Sequence, residues 1–295
     1  MARYAIVDWA RFNGRDPKAI GSTFLRADNL VAKDKDFFHW TQGCTSDAII
    51  FQKVYWTEMM RTDKNPKILD LSDPDMIKGS VLGGMDLKEI SQYVDAITCS
   101  SPELTKQVAK YVDIPTYYVP DRINFDLFPD PKKHTERAKT AVWFGYAHNA
   151  KEVLQYYILE GLVRQGLDLL VISNTPFKPE DNYGVNIKNV SYESDTAYYE
   201  IQAGDIFINP GTVTNANFKY KSNNKTVIAW KLGLPLALGE EELQKYLNPR
   251  AREEESIKRI KEVDEKYNII DSGKDYKRII NEILKNKCKD TSKVK

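Results

Sequence analysis

At 295 residues the chain exceeds one average domain and falls short of three, so two domains of ordinary size are expected. Apolar residues make up 42% and charged residues 29%, a globular composition, and no stretch approaches the ~20 continuous apolar residues of a membrane span. A formal net charge of +1 gives the whole molecule no electrostatic reason to seek nucleic acid, which leaves a local basic groove as the route to such a partner.

The N-terminus, "MARYAIVDWARF", has its apolar run cut by Asp8 and lacks the long core and small-residue cleavage site of a signal peptide, so an intracellular, cytoplasmic protein is expected. From there short β-rich runs alternate with helical segments, and most of the strands are continuous apolar runs, the mark of buried parallel sheets. In the first half, strands are predicted over 4–9, 47–52, 67–72, 95–100 and 116–120, with helices near 53–61, 86–92 and 102–111. The last of these helices begins well, with Ser100 or Ser101 as cap, Pro102 at the first helical position and Glu103 complementing the dipole. The aromatic clusters "FFHW" (37–40) and "VYW" (54–56) read as core, with stacking on sugars or bases as the alternative.

Residues 121–139, "DRINFDLFPDPKKHTERAK", carry three charged clusters, Pro129 and Pro131 without clean periodicity, and read as a linker. The alternation then restarts, with strands over 140–146, 167–173, 185–190, 205–210 and 234–238 and helices near 150–165, 195–203 and 224–232. Residues 251–287 are charged and helical in period, "NII" reads as a short strand, and the terminal "KNKCKDTSKVK" should fray. The expected fold class is therefore α/β: two Rossmann-like, doubly wound domains over 1–120 and 140–295, facing a cleft outside the carboxyl ends of their strands. Cys44, Cys99 and Cys288 are too few and too scattered for a disulfide framework or a metal knuckle, and His39, His134 and His148 suggest no zinc site.

With both halves laid out, the sequence resembles the GT-B glycosyltransferases, most closely the retaining family 4 type. "VDAITCSSPELTKQVAKYVDIPTYYVPDRINFDLFP" resembles the end of their N-terminal domain, "AVWFGYAHNAKEVL" the first strand and glycine turn of their C-terminal domain, and "SNNKTVIAWKLGLP" the segment in which Asn-Lys opens a helix ending in Gly-x-Pro. The resemblance covers residues 90–240, and the first ninety residues match only as a generic nucleotide-fold half. It implies transfer of a sugar from a nucleotide-diphosphate donor bound by the C-terminal half, onto an acceptor bound by the N-terminal half, with no separate cofactor and no metal. The acceptor class stays open among glycan, lipid, protein and DNA base. One departure stands out: the two family glutamates, eight positions apart, fall on Tyr220 and Ile228.

The chemistry follows from the residues themselves. Cleaving a sugar from a nucleoside diphosphate builds negative charge on the leaving group, which backbone N–H groups at a helix start and a lysine stabilise. Lys225 is the leading donor-side candidate, with Lys221, Lys219, Asn223 and Asn224 beside it; a solvated basic loop ahead of a core helix is the alternative. Gly145, after an apolar strand, lets backbone approach a phosphate, and His148 with Asn149 follows as a donor pair. At the acceptor side, Asp70, Asp73 and Asp75 lie at and beyond a strand's carboxyl end, and Asp8 ends the first strand. Carboxylates there orient hydroxyls or serve as a base, so Asp73, Asp8 and His148 are the candidate catalytic residues; for Asp73, turn formation before Pro74 is the other reading. Gly21, Ser22 and Arg26 offer an anion contact near a helix start. Two rival functions remain, a transferase acting on a modified DNA base and a non-catalytic nucleotide or sugar binder, the latter favoured by the missing glutamates.

Overall fold

A computed structural model describes residues 2–77, 84–211 and 218–292. Among these, eleven strands form two sheets: β1 (Tyr4–Asp8), β2 (Phe37–His39), β3 (Ala48–Gln52), β4 (Lys67–Leu71), β5 (Ala96–Cys99), β6 (Thr116–Tyr118), β7 (Thr140–Phe144), β8 (Asp168–Ser173), β9 (Ile187–Ser191), β10 (Ile206–Ile208) and β11 (Leu236–Ala237). The first sheet has the order β2-β1-β3-β4-β5-β6 and the second β11-β10-β7-β8-β9, with every pairing parallel. Residues in β1, β3 and β4 are buried at every position, which is what their largely apolar sequences require of strands covered on both faces. The fold is thus α/β with two Rossmann-like parallel sheets.

The chain divides into two compact units, one of residues 1–124, 219–223 and 268–295 and the other of 125–218 and 224–267. In the first, Ile49, Phe51, Leu69, Leu71, Leu104 and Val108 pack on one face of the sheet. Its other face is covered by Ala27, Leu30 and the apolar stripe Ile269, Tyr276, Ile279, Ile280 and Ile283. That stripe belongs to the last helix, Ile269–Ser292, which the sequence assigned to the second domain; it completes the first. The expected "NII" strand is a single bridge from Asn268 to Ile123, after which the helix runs through the segment expected to fray, while residues 293–295 lie outside the described range.

Several other expectations are adjusted by local geometry. The run 37–40 supplies a short edge strand, β2, that was not anticipated. The helix near 150–165 is two helices, Ala147–Val153 and Tyr156–Gln165, because Leu154 leaves helical backbone. The helix Pro102–Val108 starts as expected, with the Ser101 hydroxyl accepting from Leu104 N at 3.1 Å. The segment 121–139 is not a free linker. Asp121 is buried in the first unit, whereas Lys132 N donates to Leu232 O at 2.9 Å and His134 is buried in the second.

Candidate functional site

The second unit gathers the leading donor-side residues at the carboxyl end of β7. Gly145 directly follows β7 with φ of +147°, a region open to glycine, and its N–H donates to Ile172 O at 3.0 Å. A Cβ at this position would overlap Lys225 Nζ and come within 3.1 Å of Trp143 Cη2. Lys225, second in the helix Asn224–Lys231, lays its ammonium 4.7 Å from the centroid of the fully buried Trp143 ring. Bare backbone, an indole face and a cation therefore meet at a strand-to-helix turn. The helix Ala147–Val153 begins there, with Ala147 N–H donating to Asn174 Oδ1 at 3.0 Å. His148 is exposed and stacks on Tyr146, and Asn149 N–H is taken by Tyr146 O at 2.9 Å.

The basic loop ahead of Lys225 is held differently. Residues 219–223 belong to the first unit, whereas the helix from Asn224 belongs to the second. Tyr220 O accepts from the Ser101 hydroxyl at 2.7 Å, and the Ser222 hydroxyl donates to Asp121 Oδ2 at 2.5 Å. Lys219 lies over its neighbour's ring, 5.0 Å from the Tyr220 centroid, and both Lys219 and Lys221 are exposed; Asn223 is exposed too. Of this group, Lys225 stands beside Gly145. Ile228, the position on which the family resemblance places its second glutamate, is core.

The first unit has a second polar cluster at the carboxyl ends of its strands. Lys53, after β3, adopts φ of +55°, rare for a residue with a side chain. Its ammonium pairs with Asp73 at 2.5 Å. The Tyr55 hydroxyl donates to Asp75 Oδ2 at 2.5 Å, while Asp75 Oδ1, Ser72 Oγ and Gln52 Nε2 are buried without a hydrogen-bond partner among the described residues. Unmatched buried polar atoms are costly, and three at the ends of adjacent strands mark a place that a polar ligand would complete. Burial pushes the Asp75 carboxyl up, and so does Asp73, while Lys53 and the Tyr55 hydroxyl pull it part of the way back. Burial and Asp75 hold the Tyr55 hydroxyl well above its ordinary value, so it donates and does not ionise. Sequence reasoning reached Asp73 and Asp75 but missed Lys53, Tyr55, Ser72 and Gln52, for which no motif exists; the only signal was their position at strand ends.

Two expectations give way here. Arg26 was assigned to an anion, but it is buried in a π-helical turn, Phe24–Asp28, and all five of its N–H groups are spent. Nε and Nη2 grip Asp70 at 2.7 and 2.6 Å, Nη1 donates to Asp121 at 2.7 Å and Val119 O at 2.9 Å, and Nη2 also meets the Tyr276 hydroxyl at 3.2 Å. No donor is left for a phosphate. Asp8 likewise serves structure. It caps the helix Trp9–Phe12 by accepting from Arg11 N at 2.9 Å, and its other oxygen takes Arg11 Nη1 at 3.0 Å. His39 Nδ1 stands 3.3 Å away, at ion-pair distance but without hydrogen-bond alignment. Burial would raise the Asp8 carboxyl, but His39 and Arg11 more than offset it and hold it below its ordinary value, the wrong direction for a base. Gly21 and Ser22 open a helix of three residues, and a Cβ at Gly21 would meet nothing, so no close approach explains that glycine. Among the described residues no group of three or more His, Cys, Asp or Glu is arranged to hold a metal ion, and no helix is long and apolar enough to cross a membrane.

No protein-family model matches the chain, and no curated protein matches its sequence. Solved structures do match its fold. A glycosyltransferase from Rickettsia africae ESF-5 is similar with a TM-score of 0.63 at 10% identity, over 97% of this chain and 99% of that one. AviGT4, a glycosyltransferase involved in avilamycin A biosynthesis, gives 0.61 at 9% identity with coverages of 97% and 99%. TarM gives 0.61 at 9% identity, and this chain spans only 57% of its length. At such identities the likeness defines the fold.

Proposed function

We propose that the chain is a glycosyltransferase that takes a sugar from a nucleoside-diphosphate donor. The observation that carries this reading is Lys225 laid over Trp143 against the bare backbone of Gly145, at the carboxyl edge where open α/β sheets bind ligands. Lys225 meets the negative charge of the diphosphate, the turn lets its oxygens approach backbone, and the sugar nucleotide enters as substrate rather than as a resident cofactor. A structure of S. aureus TarM with UDP and alpha-GlcNAc-glycerol, similar in fold with a TM-score of 0.58, is consistent with a donor of this kind. In the reaction the bond from the anomeric carbon to the phosphate oxygen breaks with its electron pair leaving on the diphosphate. The acceptor oxygen bonds to that carbon and passes its proton to the Asp75 carboxylate. On the acceptor side we assign Asp75, supported by Tyr55, Lys53 and Asp73, in preference to Asp8. Retention of configuration follows from the family 4 resemblance alone.

Lys225→Ala tests the reading directly. A charge-assisted contact is worth ~1.5–3 kcal/mol, so affinity for the best-binding nucleoside diphosphate should fall by more than about tenfold while the melting temperature holds. Equal affinities in calorimetric titration would remove the donor site. A second reading, a non-catalytic binder, is favoured by the burial of Ile228 where the family has a carboxylate. A chain that binds nucleotide sugars yet neither transfers nor hydrolyses them would establish that alternative.

A further inference from the structure

The opposite end of β7 holds a second feature that this function does not use. A cavity of about 200 Å³ is lined by Lys132, Lys133, Arg137, Lys139 and Arg252, with Glu136 and Asp205 as the acidic residues. Lys139 and Asp205 stand immediately before β7 and β10, so the cavity lies at the amino edge of the sheet, separated from Gly145 by the length of β7, roughly 15 Å. Both carboxylates are already engaged. Asp205 accepts from Lys139 N and Thr140 N at 2.8 and 3.1 Å and pairs with Lys132 at 2.9 Å, and Glu136 pairs with Lys139 at 2.9 Å. Lys133 reaches Glu253 only loosely, at 3.4 Å.

The two guanidiniums have no carboxylate at ion-pair distance among the described residues. Arg137 donates to Gln165 O at 2.8 Å and to Ala138 O at 3.5 Å. Arg252 is 1% exposed, and its partners are neutral: His134 Nδ1 at 3.0 Å and the carbonyls of Tyr246, Leu247 and Glu136. A buried cation answered only by dipoles is expensive, and its field projects into the adjoining cavity. Of the five cations around this space, the size of a small ligand, the three lysines pair with Asp205, Glu136 and Glu253, and the two guanidiniums are the excess charge. Planar guanidinium forks with lysines beside them suit an oxyanion of more than one charge.

We propose that this amino-edge cavity is an anion site for a phosphate-class oxyanion, independent of the donor site at the carboxyl edge. The test uses the Lys225→Ala chain, so that the carboxyl-edge contribution is weakened, and inorganic pyrophosphate as the probe in titration calorimetry. One equivalent should bind, and adding Arg137→Ala and Lys139→Ala, both exposed positions, should weaken binding at least about tenfold with no change in melting temperature. Should that pair prove unstable, Lys133→Ala, whose side chain is 79% exposed, gives the same readout with a smaller drop. Absence of binding at millimolar pyrophosphate, or binding that ignores these substitutions, overturns the proposal.

Discussion

At the scale of single residues, Gly145 and Asp75 separate function from stability. An alanine at 145 suffers the left-handed backbone and thrusts its Cβ at Lys225 Nζ, the far end of a flexible side chain, and at the Trp143 ring, which is fixed in the core. The lysine can move away and the ring cannot. Gly145→Ala should therefore cost ~1–3 kcal/mol of stability by urea denaturation and reduce diphosphate affinity as far as Lys225→Ala does. A variant that binds normally would show that the lysine's perch over the turn has no part in binding. Asp75→Asn should behave in the opposite sense. A carboxyl raised in the fold keeps a proton that the unfolded chain has lost, so its contribution to stability falls as pH rises from about 4 through the folded value. Asparagine does not titrate and still accepts from Tyr55, so the variant should hold or gain stability at neutral pH while transfer drops on the order of a hundredfold. Parallel melting and transfer assays decide it; unchanged transfer would return Asp75 to a structural role. Of these two, the glycine turn was legible from an apolar strand ending in Gly145, as was the aspartate from "DLSDPD". Trp143 as the lysine's platform was not, because a buried indole and a lysine 82 positions on meet only through the pairing of β7 with β10 and the helix that follows.

Elements were legible where local chemistry decides them. Serine and proline start the helix Pro102–Val108 where the sequence placed it; Asn248 and Pro249 at the head of Pro249–Lys266, and Gly166 at φ of +64° after Tyr156–Gln165, act by the same chemistry, although neither signal was read. Elements whose existence depends on distant partners were not. β2 is three residues long and gains its place by pairing with β1, and the last helix is fixed by a face of β1, β3 and β4 some 230 residues earlier. That helix supplies a direct measurement. Ile280 is fully buried on the sheet, and its loss leaves a cavity that parallel strands cannot collapse to fill. Ile280→Ala should cost ~2–5 kcal/mol in chemical denaturation, whereas Ile270→Ala, on the exposed side, should stay within ~0.5 kcal/mol. Equal small effects would mean that the helix contributes little to the first unit.

For the whole molecule the consequence is that the two units are not two stretches of chain. The backbone passes from one to the other at 124/125, 218/219, 223/224 and 267/268, so a cut after Asn124 severs the first sheet from the helix that covers it. A reading in chain order expects contiguous domains, and only the burial of Ile269, Tyr276, Ile279, Ile280 and Ile283 against β1, β3 and β4 corrects it. The polar network points the same way. Tyr276 donates to Asp70 at 3.0 Å and Arg122 pairs with Asp275 at 2.7 Å, so without the helix the Arg26–Asp70 cluster loses a lid as well as its apolar cover. A fragment of residues 1–124 alone exposes one sheet face and should fail to fold cooperatively. Joining 268–295 to it through a flexible linker should restore a cooperative transition, read by circular dichroism and calorimetry on both fragments side by side. If the shorter fragment already unfolds in one sharp step with the same midpoint, the last helix is an accessory and the boundary near 120 read from the sequence describes the folding unit after all.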